Sequence, residues 1–250
     1  MLQTDIRWLS PDENIREAQR LIGISEAADL YVLPEMWSTG FTTDPQTSAH
    51  DVYNNSALDW MVSESRRRHC AICGSLAVRL DDGSFRNRHY FADGRSDSLY
   101  YYDKHHLFSY GHENVYYTPG QEHVIVSYEG FRFLLLICYD LRFPNWSRYT
   151  KGREYDAIIL VANWPDARQA AWHLLTRARA IENQCYFIGV NRVGYDRQCH
   201  YTGASVVVDP IGRTLGQCRL HVPDACVVAI DRAELQRRRE KFRVLDDADE

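Results

Sequence analysis

Apolar and polar positions along this chain follow two periods, and the switch between them marks out the elements. Ser10-Pro11-Asp12-Glu13 reads as a helix start, with an N-cap serine, proline at the first helical position and a capping-box glutamate. The helix it opens is expected to run to about Ala27. Asp29 to Leu33 then forms a short apolar run that predicts a buried strand ending at Pro34-Glu35. A second helix is expected from Ala57 to Arg68, followed by strands near 71–80, 86–92 and 98–103. Residues 123–128 and 131–137 read as two strands joined by Glu129-Gly130, a hairpin signal. Ala157 to Val161 predicts another buried strand, and 168–183 has helical spacing. Strands are expected at Cys185–Asn191, Thr202–Val208 and Ala225–Ile230, with Asp209-Pro210-Ile211-Gly212 a turn and 231–240 a last helix.

Helix–strand alternation mixed with direct hairpins excludes a purely parallel sheet, and the helices exclude a plain β-sandwich. The pattern predicts an α/β protein built as a four-layer α-β-β-α sandwich of two mixed sheets. No Ser/Gly/Pro-rich linker or repeat interrupts it, so residues 1–250 are expected to form a single domain.

Composition narrows the function. A net charge of −5, from 29 basic and 34 acidic residues, argues against general binding to nucleic acid or an anionic membrane. No apolar stretch reaches the length of a membrane span, and the first twenty residues are too charged for a signal peptide. Arg237-Arg238-Arg239, flanked by Glu234 and Glu240, reads as a solvated helix face. Seven cysteines, an odd number without framework spacing, predict free thiols in a reducing, cytoplasmic setting. Cys70-Ala-Ile-Cys73 has CxxC spacing but lies in an apolar run with no second ligand pair, and reads as packed strand. No GxGxxG, phosphate loop or metal-ligand spacing occurs, so neither cofactor nor metal is expected.

The candidate chemistry sits where buried strands stop. Phe133 to Ile137 are five consecutive apolar residues, and Cys138 follows directly, ahead of Tyr139, Asp140 and Arg142. Helical pattern resumes at about Pro144. A sharp strand-to-helix corner lifts one side chain out of a sheet and leaves N–H groups pointing at whatever it attacks. Cys138 therefore stands like a nucleophile, although a cysteine packed as a small hydrophobe has the same surroundings. Glu35 and Lys104 also end strands. If those strands lie side by side, a carboxylate, an ammonium and a thiol meet at one edge.

Taken together, Leu33-Pro34-Glu35, Tyr102-Asp103-Lys104-His105-His106-Leu107-Phe108 and Ile137-Cys138-Tyr139-Asp140-Leu141-Arg142-Phe143-Pro144 resemble the nitrilase superfamily of carbon–nitrogen hydrolases, in that family's order. The resemblance extends through Val161-Ala162-Asn163-Trp164-Pro165 and Arg177 to Asn183. It implies Cys138 as nucleophile, Glu35 as general base and Lys104 as stabiliser of the tetrahedral intermediate. The backbone N–H of Tyr139 is expected to share the oxyanion with Lys104. Glu113 matches a second glutamate near the site, with a supporting role. In water a thiol near about 8.5 and a carboxylate near about 4.3 exchange a proton uphill. Burial that raises the acid, and a neighbouring cation that lowers the thiol, are expected to close that gap.

Within the superfamily the chain looks most like the omega-amidase branch, on Trp37-Ser38-Thr39-Gly40-Phe41, the Lys104–Phe108 segment and Asn163-Trp164-Pro165. That branch releases ammonia from the terminal amide of short dicarboxylic monoamides such as 2-oxoglutaramate and 2-oxosuccinamate. Phe41 and Trp164 are candidates for a pocket wall. Arg142, Arg168 and His106 are candidates to receive the substrate carboxylate. Another branch (nitrilase, N-carbamoyl amidohydrolase or aliphatic amidase) would share the reacting residues and differ in the pocket. A metal-dependent phosphodiesterase could share two packed sheets and use some of the ten histidines, but would not need Cys138. A scaffold without activity would not need the three together. Proteins of this resemblance pair through a helix such as 169–184, so a homodimer is expected. Their first strand usually carries a few more residues than the opening Met1 to Ile6.

Overall fold

The computed structural model describes residues 1–247. Its larger sheet has six strands in the order Thr214–Gln217, Val206–Val208, Tyr186–Asn191, Ala157–Ala162, Phe131–Ile137 and Ile125–Tyr128. The three central strands of this sheet run parallel and the outer ones antiparallel. The smaller main sheet orders Leu30–Val32, Ala71–Arg79, Phe85–Asp93 and Ser98–Asp103, with His50–Asp51 added beside Ala71–Arg79. Both sheets are mixed, as the hairpins and crossovers required.

Side-chain alternation assigns the layers. In Ala71–Arg79, Ile72, Leu76 and Val78 face the helices Pro11–Ile24 and Ser56–Arg68, whereas Ala71 and Cys73 face the opposite sheet. Phe91 of the neighbouring strand does the same and stacks on Phe133 across the sandwich, ring centroids 6.3 Å apart. Phe133 to Ile137 are buried on both faces, between that inter-sheet core and the helix Gln169–Glu182. This is why the run shows no alternation. Cys70 and Cys73 are buried here, the second within the strand.

Several expected boundaries differ. The first helix ends at Ile24, and the Ser10 side chain does not cap it; Ser10 Oγ donates to Trp8 O at 3.1 Å. Asn14 instead ties down the helix entry through Arg7 N, Arg7 O and Ser38 O. The expected strand 202–208 is two pieces: His200–Thr202 pairs with Val193–Tyr195, and Val206–Val208 joins the six-stranded sheet. Gly203 stands between them at φ +83°, where a Cβ would lie 2.3 Å from Gln3 Oε1. Beyond Asp224–Ala225, which pairs with Leu2–Gln3, residues 226–230 are irregular. The opening strand is accordingly two residues long. Arg239 is not part of a solvated face: it donates to Gln184 O, Tyr155 O and the buried Asp156. Arg237 and Arg238 pair with Glu234 at the surface, as expected of that helix. No helix among the described residues is long and apolar enough to cross a membrane.

Candidate active site

Three strand ends build the site, each held by a local device. After Leu30–Val32, Leu33 N donates to Cys73 O (2.8 Å) and Ser75 N to Pro34 O (3.3 Å), so pairing continues up to the carboxylate. Met36 then turns the chain at φ +41°, its N–H held by Ser75 Oγ at 2.8 Å. Glu35 is left wholly buried. Lys104 continues the Ser98–Asp103 strand, its N–H donating to Asn87 O at 2.9 Å. Gly120 closes on the same corner by donating to Lys104 O, and a Cβ there would sit 2.2 Å from Asp103 O.

Cys138 ends Phe131–Ile137 at φ +42°, a left-handed conformation that costs a non-glycine residue about 1 to 3 kcal/mol. The helical turn begins on the cysteine itself: Cys138–Arg142 is a 3-10 turn, and the helix from Pro144 lasts only to Ser147. Asp140, fully buried, restrains the corner. Its Oδ2 accepts from Ile137 N (3.0 Å) and Tyr102 OH (2.8 Å), and its Oδ1 from His106 N (3.0 Å) and His106 Nδ1 (2.9 Å). As the second residue of the turn, Tyr139 has no intrahelical acceptor for its N–H.

The charged groups converge. Lys104 Nζ lies 2.8 Å from Glu35 Oε1 and 2.9 Å from Glu113 Oε2, and all three side chains are buried. Glu113 Oε2 also accepts from Phe108 N at 2.6 Å. Asn163 reaches both Glu35 and Cys138: its N–H donates to Glu35 Oε2 at 2.9 Å, and its carbonyl oxygen lies 3.9 Å from Cys138 Sγ. Its Nδ2 donates to Glu35 O, while Oδ1 has no hydrogen-bond partner among the described residues.

Two residues of this network carried no role in the sequence reading. Asn87 Nδ2 donates to Glu35 Oε1 (2.8 Å) and Glu113 Oε1 (3.0 Å), bridging the two acids. Ser75 Oγ in turn donates to Asn87 Oδ1 at 2.8 Å. The available signal was a small polar residue within each of two strands otherwise read as packed. Asn87 and Ser75 are fully buried, and buried polar groups need partners.

Electrostatics corrects one expectation. Cys138 is raised well above the ordinary thiol value, by burial first and then by the Glu35 carboxylate, with Lys104 acting only as partial relief. Two carboxylates share one ammonium here, so a thiolate would be a third anion in a buried site. For Lys104, burial pulls the ammonium down, but Glu113 and Glu35 outweigh it and the net shift is upward. Burial and the neighbouring Glu35 raise Glu113, against the pull of Lys104. The directions therefore favour a charged amine and a protonated thiol side by side in the resting site.

The candidate pocket residues divide. The Phe41 ring faces Lys104 Nζ, 5.5 Å from its centroid, and meets Phe108 edge-on at 6.3 Å. Trp164 is buried, donates to Arg168 O at 2.8 Å and carries the exposed Arg142 guanidinium over its ring at 5.0 Å. His106 is engaged by Asp140 and stacks on Phe143 at 3.8 Å. Among the described residues no group of three or more His, Cys, Asp or Glu side chains is placed to hold a metal ion.

The carbon–nitrogen hydrolase family model matches residues 1–240. The chain is 38% identical to the omega-amidase YafV of Escherichia coli (strain K12), over all of this chain and 96% of that protein. It is 35% identical to the 2-oxoglutaramate amidase of Bacillus subtilis (strain 168), over 86% and 84% of the two chains. Among solved structures, XC1258 from Xanthomonas campestris, a CN-hydrolase superfamily protein with an arsenic adduct in its active site, superposes with a TM-score of 0.91. That pair is 35% identical over 100% and 96% of the two chains. With its strand ends, its buried acid–amine–thiol cluster and this similarity over its full length, the chain belongs to the carbon–nitrogen hydrolase family.

Proposed function

We propose that this protein is a thiol amidohydrolase, an omega-amidase that releases ammonia from the terminal amide of short dicarboxylic monoamides such as 2-oxoglutaramate and 2-oxosuccinamate. The observation that carries the chemistry is the contact set around Glu35, whose carboxylate meets Lys104 Nζ at 2.8 Å and the Asn163 N–H at 2.9 Å beside Cys138. The relatives named above support the substrate class.

In the proposed reaction, Cys138 Sγ attacks the amide carbon as Glu35 takes the thiol proton. The carbonyl oxygen becomes an oxyanion held by Lys104 Nζ and the Tyr139 N–H. Lys104 Nζ has three contacts with the two carboxylates, and in this reading the oxyanion replaces the longest of them, 3.2 Å to Glu113 Oε1. Losing a donor of this kind typically costs about 3 to 4 kcal/mol of transition-state stabilisation. Collapse breaks the C–N bond, Glu35 returns the proton to the departing nitrogen, and ammonia leaves behind a thioester on Cys138. Water deprotonated by Glu35 then hydrolyses the thioester and restores the thiol. Glu113 and Asn87 act through Lys104 and Glu35, keeping them at bonding distance. Phe41 and Trp164 wall the pocket in this reading.

We also propose that the chain works as one domain, as a homodimer paired through Gln169–Glu182, and in the cytoplasm. Leu174 and Ile181 lie seven residues apart on one face of that helix and are 71% and 50% exposed. All seven cysteines are free, which suits a reducing compartment.

The test is ammonia release by purified protein from a panel of amides, nitriles and N-carbamoyl compounds, with Cys138→Ala as control. Turnover of 2-oxoglutaramate that disappears in Cys138→Ala is expected, together with a mass increase on Cys138 after rapid quench. Activity on nitriles or N-carbamoyl compounds with none on 2-oxoglutaramate would discard the assignment.

A further inference from the structure

A short dicarboxylic monoamide carries a carboxylate at the end remote from the reacting amide, and a carboxylate entering a protein site needs a cation or N–H partner. Three basic side chains border the site on the side of Tyr139 and Trp164, and the structure treats them differently. His106 is occupied by the buried Asp140 at 2.9 Å and by its stack on Phe143. Arg142 likewise has no hydrogen bond or ion pair among the described residues, but it is exposed and lies over Trp164, with only one ring against it.

Arg168 is half-buried, and its guanidinium carbon lies 5.3 Å from the Phe108 ring centroid and 5.2 Å from that of Tyr110. No hydrogen bond or ion pair joins this guanidinium to a protein group among the described residues. The acid nearest in sequence, Asp166, is held instead by His200 Nδ1 at 2.8 Å.

We infer that Arg168 is the specificity residue of this site, receiving the substrate carboxylate on the free edge of its guanidinium. The inference rests on the function proposed above. Two aromatic faces flank the guanidinium and offer it no hydrogen-bond acceptor, which leaves its N–H fork available for a two-point contact with a carboxylate. The rings that hold it also border the reacting groups. Phe108 meets Tyr139, which carries the proposed oxyanion donor, at 5.1 Å and Phe41, which faces Lys104, at 6.3 Å.

Arg168 N donates to Pro165 O at 3.0 Å, and its carbonyl accepts from Trp164 Nε1. The same turn places Asn163 against Glu35 and Cys138. One turn thus carries both Asn163, at the reacting centre, and Arg168, whose guanidinium lies at the Phe108 side of the same site.

The experiment compares glutaramate with pentanamide, which has a methyl group in place of the carboxylate, in wild-type protein, Arg168→Met, Arg168→Lys and Arg142→Met. Wild type is expected to prefer glutaramate in kcat/KM. In Arg168→Met that preference falls by on the order of 10- to 100-fold, mainly through KM, as for loss of a charge-assisted pair. Arg168→Lys, which keeps the charge without the planar fork, retains an intermediate preference. A full preference in Arg168→Met, an equal loss on both amides, or the selective loss appearing in Arg142→Met instead would overturn the inference while leaving the proposed function standing. Wild-type protein with no preference for the carboxylated amide would overturn both.

Discussion

At the scale of single residues, the buried cluster is a problem in charge counting. Glu35, Lys104 and Glu113 are all withdrawn from water, and an uncompensated charge there is expensive, so the ammonium between two carboxylates is what makes their burial possible. The same arrangement disfavours a preformed thiolate on Cys138. The sign has a measurable consequence. A thiol raised above its ordinary value is protonated at neutral pH, and its reaction with a thiolate-directed reagent increases as pH climbs past about 8.5. Iodoacetamide alkylation of Cys138, followed by mass spectrometry, is therefore expected to rise steadily with pH and show no plateau near neutrality. A rate already level below pH 7 would mean that Lys104 dominates the thiol after all.

At the scale of elements, catalysis depends on corners more than on the regular structure leading to them. Cys138 and Met36, the latter next to Glu35, both turn in the left-handed region, and each turn is held by a buried side-chain oxygen: Asp140 for the first, Ser75 for the second. Asp140 gathers four donors from three segments, so it couples the Cys138 corner to the Lys104 strand through Tyr102 and His106. Asp140→Asn removes the charge and two of the acceptor sites. It is expected to lower stability by about 1.5 to 3 kcal/mol in urea unfolding and to reduce kcat at least tenfold with little change in KM. Unchanged kcat would show that the corner holds without it. Trp146 and His105 reinforce the same joint, the indole N–H donating to Tyr102 OH at 2.9 Å while the two rings stack at 3.6 Å.

At the scale of the whole molecule, two packed sheets bring together residues remote in the chain: Asn163 bonds to Glu35 across 128 positions. The sandwich leaves one apolar face of Gln169–Glu182 outward, with Leu174 and Ile181 on it. The helix follows Asn163 and Arg168 directly, so covering this face would also stabilise the turn that carries them. Sedimentation velocity is expected to show a dimer for the wild type and a monomer for Leu174→Glu, with lower thermal stability in the variant. A wild-type monomer at micromolar concentration would remove the dimer.

Much of this was legible in the chain because it depends on local pattern. Five apolar residues before Cys138, Pro34 before Glu35 and the hairpin at Glu129-Gly130 each follow from rules that act within a few positions, and the strands at 71–79, 85–93, 98–103 and 157–162 fall where the pattern put them. The split at Gly203, the irregular 226–230 segment and the burial of Arg239 were not legible, since each depends on a partner remote in sequence: Gln3, Met1 and Asp156. By itself, then, the chain determined the elements and the strand ends at which Glu35, Lys104 and Cys138 stand. Only tertiary structure decided the direction of the Cys138 shift, the bridging position of Asn87 and which arginine lies half-buried against two aromatic rings, because these depend on which groups share one buried space.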